Sequence, residues 1–286
     1  MAFTGYRTLA RFAEVLPARG VAPVAGLAAR IGMRVLPARA ALVRSHLRRV
    51  TGVDPAPALV RAAFASYARY WLDAFRLPVE PEERLAARVR TEGLEHVDEA
   101  LAAGKGVVFA LPHVGNWDVA GAWLTRVRGL SLTVVAEAVE PPELRVWFHD
   151  FRKALGMDVV FNGPRVVGEI TAALGRNGAV ALLCDRDVDG SGLSVPFFGE
   201  PAPLPKGPAT LAFRTGAALL PVAVFQEPDG HRIVVSPPVE LQRAGRLRDD
   251  VASVTADLAT RLEPLIRRAP QQWHLFQPNW PSDHVR

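Results

Sequence analysis

Leu111-Pro112-His113-Val114-Gly115-Asn116-Trp117-Asp118 connects a predicted strand to a predicted helix. The run before it, residues 106–110, is rich in β-branched and aromatic side chains, which indicates a buried parallel strand. The run after it, residues 119–127, has the pattern of a helix. His113 is therefore expected on a strand-to-helix turn. In open α/β sheets, such turns display reacting groups just beyond the carboxyl ends of the strands.

The polar residues of this turn suggest a chemical role for the histidine. Asn116 is a good N-cap, which puts Asp118 in the first helical turn, where the helix dipole favours a charged carboxylate that can fold back toward His113. A neutral imidazole oriented by a carboxylate is a general base, and the backbone N–H groups of the glycine-containing turn and of the helix N-terminus at Gly115 are candidate oxyanion donors. The spacing fits a structural histidine bonded to a turn equally well.

Strand-like and helix-like runs alternate from Gly106 to the end of the chain, which predicts an α/β fold with a mostly parallel sheet covered by helices. The predicted strands are residues 107–111, 132–136, 159–161, 180–184, 222–225 and 233–236. The predicted helices are residues 117–127, 143–155, 166–174, 208–214 and 251–262, the last ending before Pro264.

The first 50 residues are strongly basic, with nine arginines against one acidic residue, Glu14, although the whole chain carries only +5. Apolar residues recur among these arginines at helical spacing, which predicts two short amphipathic helices separated by Pro17, Pro23 and Pro37. Such helices can lie on an anionic bilayer surface, or they can pack on the main domain with their charges in water. No DNA-reading motif accompanies the arginines, so no nucleic-acid partner is expected. No uncharged stretch approaches the roughly 20 residues of a membrane span.

A longer amphipathic helix is predicted over residues 56–77, and Pro78 and Pro81 end it at the nearest approach to a linker. The aromatic stripe of this helix is typical of core packing. The chain is therefore predicted to divide into a basic helical N-terminal extension, residues 1–80, and an α/β domain, residues 81–286.

A second polar cluster, Asp185-Arg186-Asp187-Val188-Asp189-Gly190, follows the predicted strand 180–184. A calcium loop is rejected because its twelfth position is Pro196 and because a strand precedes it. At the carboxyl end of a strand, one of these aspartates can border the crevice of His113 and orient the imidazole or hold an acceptor hydroxyl. The alternative is a turn rich in Asx residues.

Other chemistry finds no support in the sequence. It contains no Gly-x-Ser-x-Gly elbow, Walker loop, dinucleotide-binding glycine pattern or His-Glu-x-x-His helix. Cys184 is the single cysteine, which excludes an intramolecular disulfide and makes a reducing cytoplasmic setting the simplest interpretation. It ends an apolar strand and is expected to be a small buried residue and not a nucleophile.

Five motifs occur in order between about residues 94 and 280: His113-x4-Asp118, residues 151–157 (FRKALGM), residues 185–187 (DRD), residues 195–199 (VPFFG) and residues 207–212 (GPATLA). This ordered set resembles the lipid A biosynthesis acyltransferase family, within the glycerolipid acyltransferase-like superfamily. The DRD sequence, the FFGE ending at Glu200 and the aromatic tail 273–280 are most similar to the members that acylate phosphatidylinositol mannosides.

The resemblance implies a peripheral enzyme on the cytoplasmic face of the membrane. Such an enzyme moves a fatty acyl chain from acyl-CoA, its co-substrate, to a mannose hydroxyl of the glycolipid, without metal or cofactor. It also implies that residues 81–286 are the acyltransferase domain.

The site residues expected from the resemblance and the chemistry fall into two groups. His113 is the base, with Asp118, Asp185 or Asp187 assisting it. Candidate substrate-binding residues are Glu137, Arg152, Asp185 and Lys206, and the candidate phosphate contacts are Arg152, Lys206 and Arg214.

Two other hypotheses stay open. An enzyme of the same fold can acylate a lipid A precursor or another lipid, and a catalytically silent relative can simply bind membranes. Assays with a panel of acceptor lipids distinguish the first alternative from the glycolipid acyltransferase. The second alternative predicts no turnover that His113→Ala could abolish.

Overall fold

Seven strands form one sheet in the computed structural model of the protein, which describes residues 2–137 and 139–284. The strands in these residues are β1 (Val89–Glu92), β2 (Val107–Leu111), β3 (Leu132–Ala136), β4 (Asp158–Phe161), β5 (Ala179–Leu183), β6 (Leu193–Phe197), β7 (Glu200–Leu204), β8 (Ala218–Glu227) and β9 (Gly230–Val235). The sheet order is β1-β9-β8-β2-β5-β3-β4, and β6 and β7 form a separate antiparallel hairpin. Only the β8–β9 pairing in the sheet is antiparallel.

Helices cover both faces of this sheet. They are α1 (Ala2–Val15), α2 (Ala18–Val35), α3 (Pro37–Thr51), α4 (Pro57–Arg76), α5 (Glu82–Arg88), α6 (Glu95–Ala102), α7 (Trp117–Ala122), α8 (Pro142–Ala154), α9 (Val166–Gly175), α10 (Gly207–Thr215) and α11 (Leu247–Arg268). A π-helical turn, Trp123–Val127, continues α7. The predicted fold class, a mostly parallel sheet covered by helices, is therefore confirmed.

Strand β2 lies at the centre of the sheet because every one of its residues is apolar. Val108 and Ala110 face one hydrophobic core, whereas Val107, Phe109 and Leu111 face the other. All five residues are buried, as expected for a parallel strand with helices on both faces. The turn that carries His113 thus begins from a fully buried strand.

The N-terminal helices pack on the same core as the sheet. Ala13 of α1 and Val21 of α2 belong to the hydrophobic cluster that contains Phe109 of β2. Tyr6 of α1 also makes an edge contact with Phe148 of α8, with ring centroids 5.4 Å apart. The division near residue 80 remains a prediction, and α1 to α4 join the α/β core directly.

The structure corrects the predicted helices at two prolines. Pro23 lies inside α2, so Pro17 and Leu36–Pro37 are the breaks in a run of three helices, where two were predicted. Helix α11 continues through Pro264 to Arg268. Leu265 and Ile266 beyond the proline are buried, and their burial offsets the hydrogen bond that a proline removes.

No single helix in the described ranges is long and apolar enough to cross a membrane. Helices α2 and α3 reach the required length and composition only as a pair, and they are bent by 106° with respect to each other.

Candidate active site

The turn after β2 is held in place by the C-terminal segment of the chain. The backbone N–H of Gly115 donates to the carbonyl of Gln272 (2.9 Å), and that of His274 donates to the carbonyl of His113 (2.7 Å). Gly115 has a φ of +65°, and a Cβ there would lie 1.5 Å from the carbonyl oxygen of Val224. The close approach of β8 therefore requires glycine at this position.

Asn116 caps α7 as the sequence predicted. Its side-chain oxygen accepts the N–H of Val119 (3.2 Å), and its amide donates to the carbonyl of Tyr70 (3.1 Å). The N–H of Gly115 itself is not available as an oxyanion donor, since it already donates to Gln272.

His113 is paired with Asp185, which follows β5. The distance from His113 Nδ1 to Asp185 Oδ1 is 2.6 Å, and the backbone N–H of His113 donates to Asp185 Oδ2 (2.9 Å). The indole Nε1 of Trp273 donates to the same Oδ2 (2.6 Å). Because Nδ1 carries its proton toward the carboxylate, neutral His113 has its lone pair on Nε2.

Asp185 is fully buried but remains ionised. Burial alone would raise its pKa, but the His113 imidazole, the Trp273 indole and the His113 backbone N–H outweigh that effect and hold the pKa below its ordinary value. A buried carboxylate bonded to Nδ1 fixes the tautomer of the imidazole and stabilises the imidazolium when a proton arrives at Nε2.

Asp118, the acidic residue of the His-x4-Asp motif, contacts other partners. Its carboxylate accepts Nε of Arg152 (2.8 Å) and the hydroxyl of Tyr70 (2.6 Å), and it forms no hydrogen bond with His113. Burial alone would lower the pKa of Arg152, but Asp118 outweighs it and raises that pKa. Burial and the nearby carboxylate also raise the pKa of Tyr70, so the phenol keeps its proton and donates it.

Asp187 shapes its own loop. Its oxygens accept the backbone N–H groups of Gly190 (3.2 Å) and Gly192 (3.0 Å), and Asp189 similarly accepts that of Ser191 (2.9 Å). For these two aspartates the structure therefore has the Asx-turn arrangement. Among the candidate partners Asp118, Asp185 and Asp187, it is Asp185 that bonds to the imidazole of His113.

Two cavities meet at His113. The first, which we call the apolar chamber, has a volume of about 270 Å³ and lies against the face of the sheet that carries Phe109 and Leu111. The second cavity has a volume of about 380 Å³ and is also lined by His113. Asp118 and Arg152 line the chamber, Asp187 and Lys206 line the second cavity, and Glu137 borders both. The predicted substrate residues are thus spread over both cavities.

An ion pair stands where the cavities join. Glu137 Oε2 lies 2.8 Å from Nη2 of Arg186, and the Arg186 side chain is largely buried.

Cys184 is buried, as predicted, and burial raises the pKa of its thiol, which fits a packing role.

Three residues of the site were not identified from the sequence. The sequence pattern places Tyr70 in a core stripe and Trp273 in the aromatic tail, and it gives no indication of a role for His274. The Nε2 atom of His274 lies 2.9 Å from the hydroxyl of Ser66, and burial together with His113 lowers its pKa to about 3. No local pattern indicates these contacts, because each joins segments that are far apart in the chain.

A parallel sheet with a carboxylate-bound histidine between two cavities is an arrangement suited to group transfer. The family model for bacterial lipid A biosynthesis acyltransferases matches residues 6–282, and the chain belongs to this family.

Curated relatives agree with that assignment. The phosphatidylinositol mannoside acyltransferase of Mycolicibacterium smegmatis is 42% identical over 247 residues, which cover 84% of this chain and 79% of the relative. The protein of the same name from Mycobacterium tuberculosis is 42% identical over 249 residues, covering 84% of this chain and 77% of the relative. The resemblance found in the sequence motifs is thereby confirmed.

Proposed function

We propose that this chain transfers a fatty acyl group from acyl-CoA to a mannose hydroxyl of a phosphatidylinositol mannoside, with His113 as the general base. The observation that carries the proposal is the buried His113–Asp185 pair at the junction of the two cavities. The acceptor is taken from the names of the relatives.

In the proposed reaction, Nε2 of His113 removes the proton of the mannose hydroxyl as its oxygen attacks the thioester carbonyl. Asp185 stabilises the imidazolium that forms. When the tetrahedral intermediate collapses, the C–S bond breaks and His113 returns the proton to the departing coenzyme A thiolate. General-base help of this kind is worth about 10²- to 10⁴-fold in rate.

The two cavities suit the two substrates in different ways. We assign the acyl chain to the apolar chamber, because its inner surface consists of side chains such as Phe109, Leu111 and Ile233. Lys206 and Arg214 line the second cavity, where they can contact phosphates of coenzyme A. Glu137 and Arg152, which both line the chamber, are assigned to the acceptor head group.

Surface binding to an anionic membrane is part of the proposal. Large apolar side chains on α1 and α2 face solvent, among them Phe12 (44% exposed), Leu27 (56%), Ile31 (53%) and Val35 (65%). They alternate with the arginines of the basic segment, a combination typical of helices that lie at a bilayer interface. These features support peripheral binding to a membrane, and the cytoplasmic face is the side that the family resemblance implies.

The first experiment measures release of free coenzyme A from palmitoyl-CoA, with and without a phosphatidylinositol mannoside. Acceptor-dependent release that His113→Ala abolishes supports the proposal. His96→Ala, which changes a histidine of α6 outside both cavities, serves as the matched control. Undiminished transfer by folded His113→Ala protein contradicts the mechanism.

The same assay separates the remaining alternatives. The family name favours a lipid A precursor as the second candidate acceptor, and a panel of both lipids decides between them. Absence of turnover with every donor and acceptor would support a silent membrane-binding protein.

The proposed membrane contact is tested by co-sedimentation with liposomes. Binding should weaken as salt is raised or anionic lipid is withdrawn, and binding that is indifferent to both changes would contradict the proposed contact.

A further inference from the structure

The apolar chamber has polar residues at its mouth and buried apolar residues in its interior. Glu137 and Arg145 stand at the mouth, where their side chains reach solvent. Other lining residues, Leu132 and Met157, are each only 2% exposed. The chamber therefore extends from the neighbourhood of His113 into the interior of the protein, and its inner end is built by buried side chains.

Gly121 of α7 and Met157 touch each other among the buried residues that line the chamber. A Cβ atom added to Gly121 would lie 2.5 Å from the Met157 sulfur and 3.0 Å from its terminal methyl group. The thioether thus occupies the space that a side chain at position 121 would take. Both residues line the chamber.

The backbone segment 155–157 is bonded to the π-helical turn after α7 and to α8, which fixes the position of Met157 even though its side chain is flexible. The hydroxyl of Thr125, in the π-helical turn, donates to the carbonyl of Leu155 (2.6 Å). The N–H of Met157 donates to the carbonyl of Arg152 (3.2 Å), next to the polar part of the site. Gly156 has a φ of +89°, and its backbone passes so close to Thr125 that a Cβ there would lie 3.1 Å from it.

We propose that Gly121 and Met157 close the inner end of the chamber and set the length of acyl chain that the protein transfers. The inference rests on the proposed function, because it takes the chamber as the acyl site. Methionine is unbranched and adapts its shape to the space around it. A residue larger than glycine at position 121 therefore pushes the thioether into the chamber, whereas loss of the thioether lengthens the chamber.

The test compares kcat/KM for acyl-CoA donors of increasing chain length, from dodecanoyl to eicosanoyl, in the presence of the acceptor. Met157→Ala should move the preferred donor to a longer chain, and Gly121→Ala should move it to a shorter one. One methylene in an apolar pocket changes kcat/KM by about 10- to 200-fold, so the ratio of long to short donors should change at least about tenfold in each variant. Leu174→Ala, a buried change in the core on the other face of the sheet, controls for general destabilisation.

Opposite shifts in Met157→Ala and Gly121→Ala, with no shift in Leu174→Ala, support the proposal. Folded variants that transfer acyl groups with the unchanged chain-length profile overturn it and leave the proposed function intact.

If the unmodified protein transfers no acyl group, the proposed function fails. Displacement of a fluorescent fatty acid by free fatty acids of the same lengths then decides the question. The same opposite shifts in binding support the role of the pair, and identical profiles overturn it.

Discussion

The turns after β2 and β5 each bury one aspartate near His113, and the two carboxylates have different partners. Asp118, after β2, accepts a guanidinium and a phenol, which join α7 to α8 and α4. Asp185, after β5, accepts the imidazole, a backbone N–H and an indole. The acidic residue inside the sequence motif therefore holds helices together, whereas an acidic residue 72 positions away from His113 orients it.

The largest effect is expected from Asp185→Asn. An amide can donate to Nδ1 and hold the imidazole in the wrong tautomer, so kcat should fall about 10³- to 10⁴-fold. Asp187→Asn is the matched change in the same loop, and its loss should stay below about tenfold because Asp187 bonds to Gly190 and Gly192. Coenzyme A release with acceptor present measures both. Equal losses in the two variants would contradict the assignment of Asp185 as the partner of the base.

Asp118→Asn should lower the stability of the fold and have a smaller effect on the function of His113 as a base. The change leaves the largely buried Arg152 guanidinium without its counter-ion, which costs about 3 kcal/mol in the free energy of unfolding. Urea unfolding measures this loss. The double variant Asp118→Asn/Arg152→Gln should recover part of it, since no uncompensated charge remains. A stability loss that the second substitution deepens would show that the ion pair is not its cause.

The comparison of the two aspartates also explains what the sequence could and could not predict. The strand, turn and helix around His113 follow from local periodicity, and β2 has the predicted bounds. The choice between Asp185 and Asp187 depends on which strand lies beside β2. Leu111 pairs with Leu183, so the second residue beyond each, His113 and Asp185, come side by side. That neighbour relationship is a property of the sheet order, which the sequence pattern does not contain.

Two further elements escaped the sequence analysis for physical reasons. The β6–β7 hairpin contains Pro196, Pro201 and Pro203, and prolines argue against a strand unless it lies at an edge. Strand β1 spans four residues, too few for an alternating pattern to stand out. Neither element contributes a residue that bonds to His113, so missing them did not affect the prediction of the turn that carries it.

A third buried group beside the site predicts a pH dependence of folding. His274 has a folded-state pKa of about 3, lowered by burial and by His113, against about 6.5 in the unfolded chain. Between these values the unfolded chain binds the extra proton, so this group makes stability fall as pH drops from about 6.5 toward 3, by about 1.4 kcal/mol per pH unit. His274→Asn should reduce that slope in urea unfolding. His231, whose pKa is also lowered by burial, contributes in the same direction and should keep part of the slope. An unchanged slope in His274→Asn would contradict the buried neutral state of this histidine.

The smallest effect is expected from Trp273→Phe, which removes one of the three N–H donors to Asp185. A hydrogen bond to a charged group is worth about 1.5–3 kcal/mol, so kcat should fall about tenfold or somewhat more. The indole N–H is one of the contacts that hold the pKa of Asp185 low, and its loss raises that pKa. Activity that needs ionised Asp185 should therefore disappear at a higher pH as the solution is acidified. Trp280→Phe provides the matched control, because this equally buried indole donates to the carbonyl of Phe197. If both variants lose activity equally and keep the same acid limit, Trp273 acts through packing alone, and the hydrogen-bonded environment of Asp185 does not tune the base.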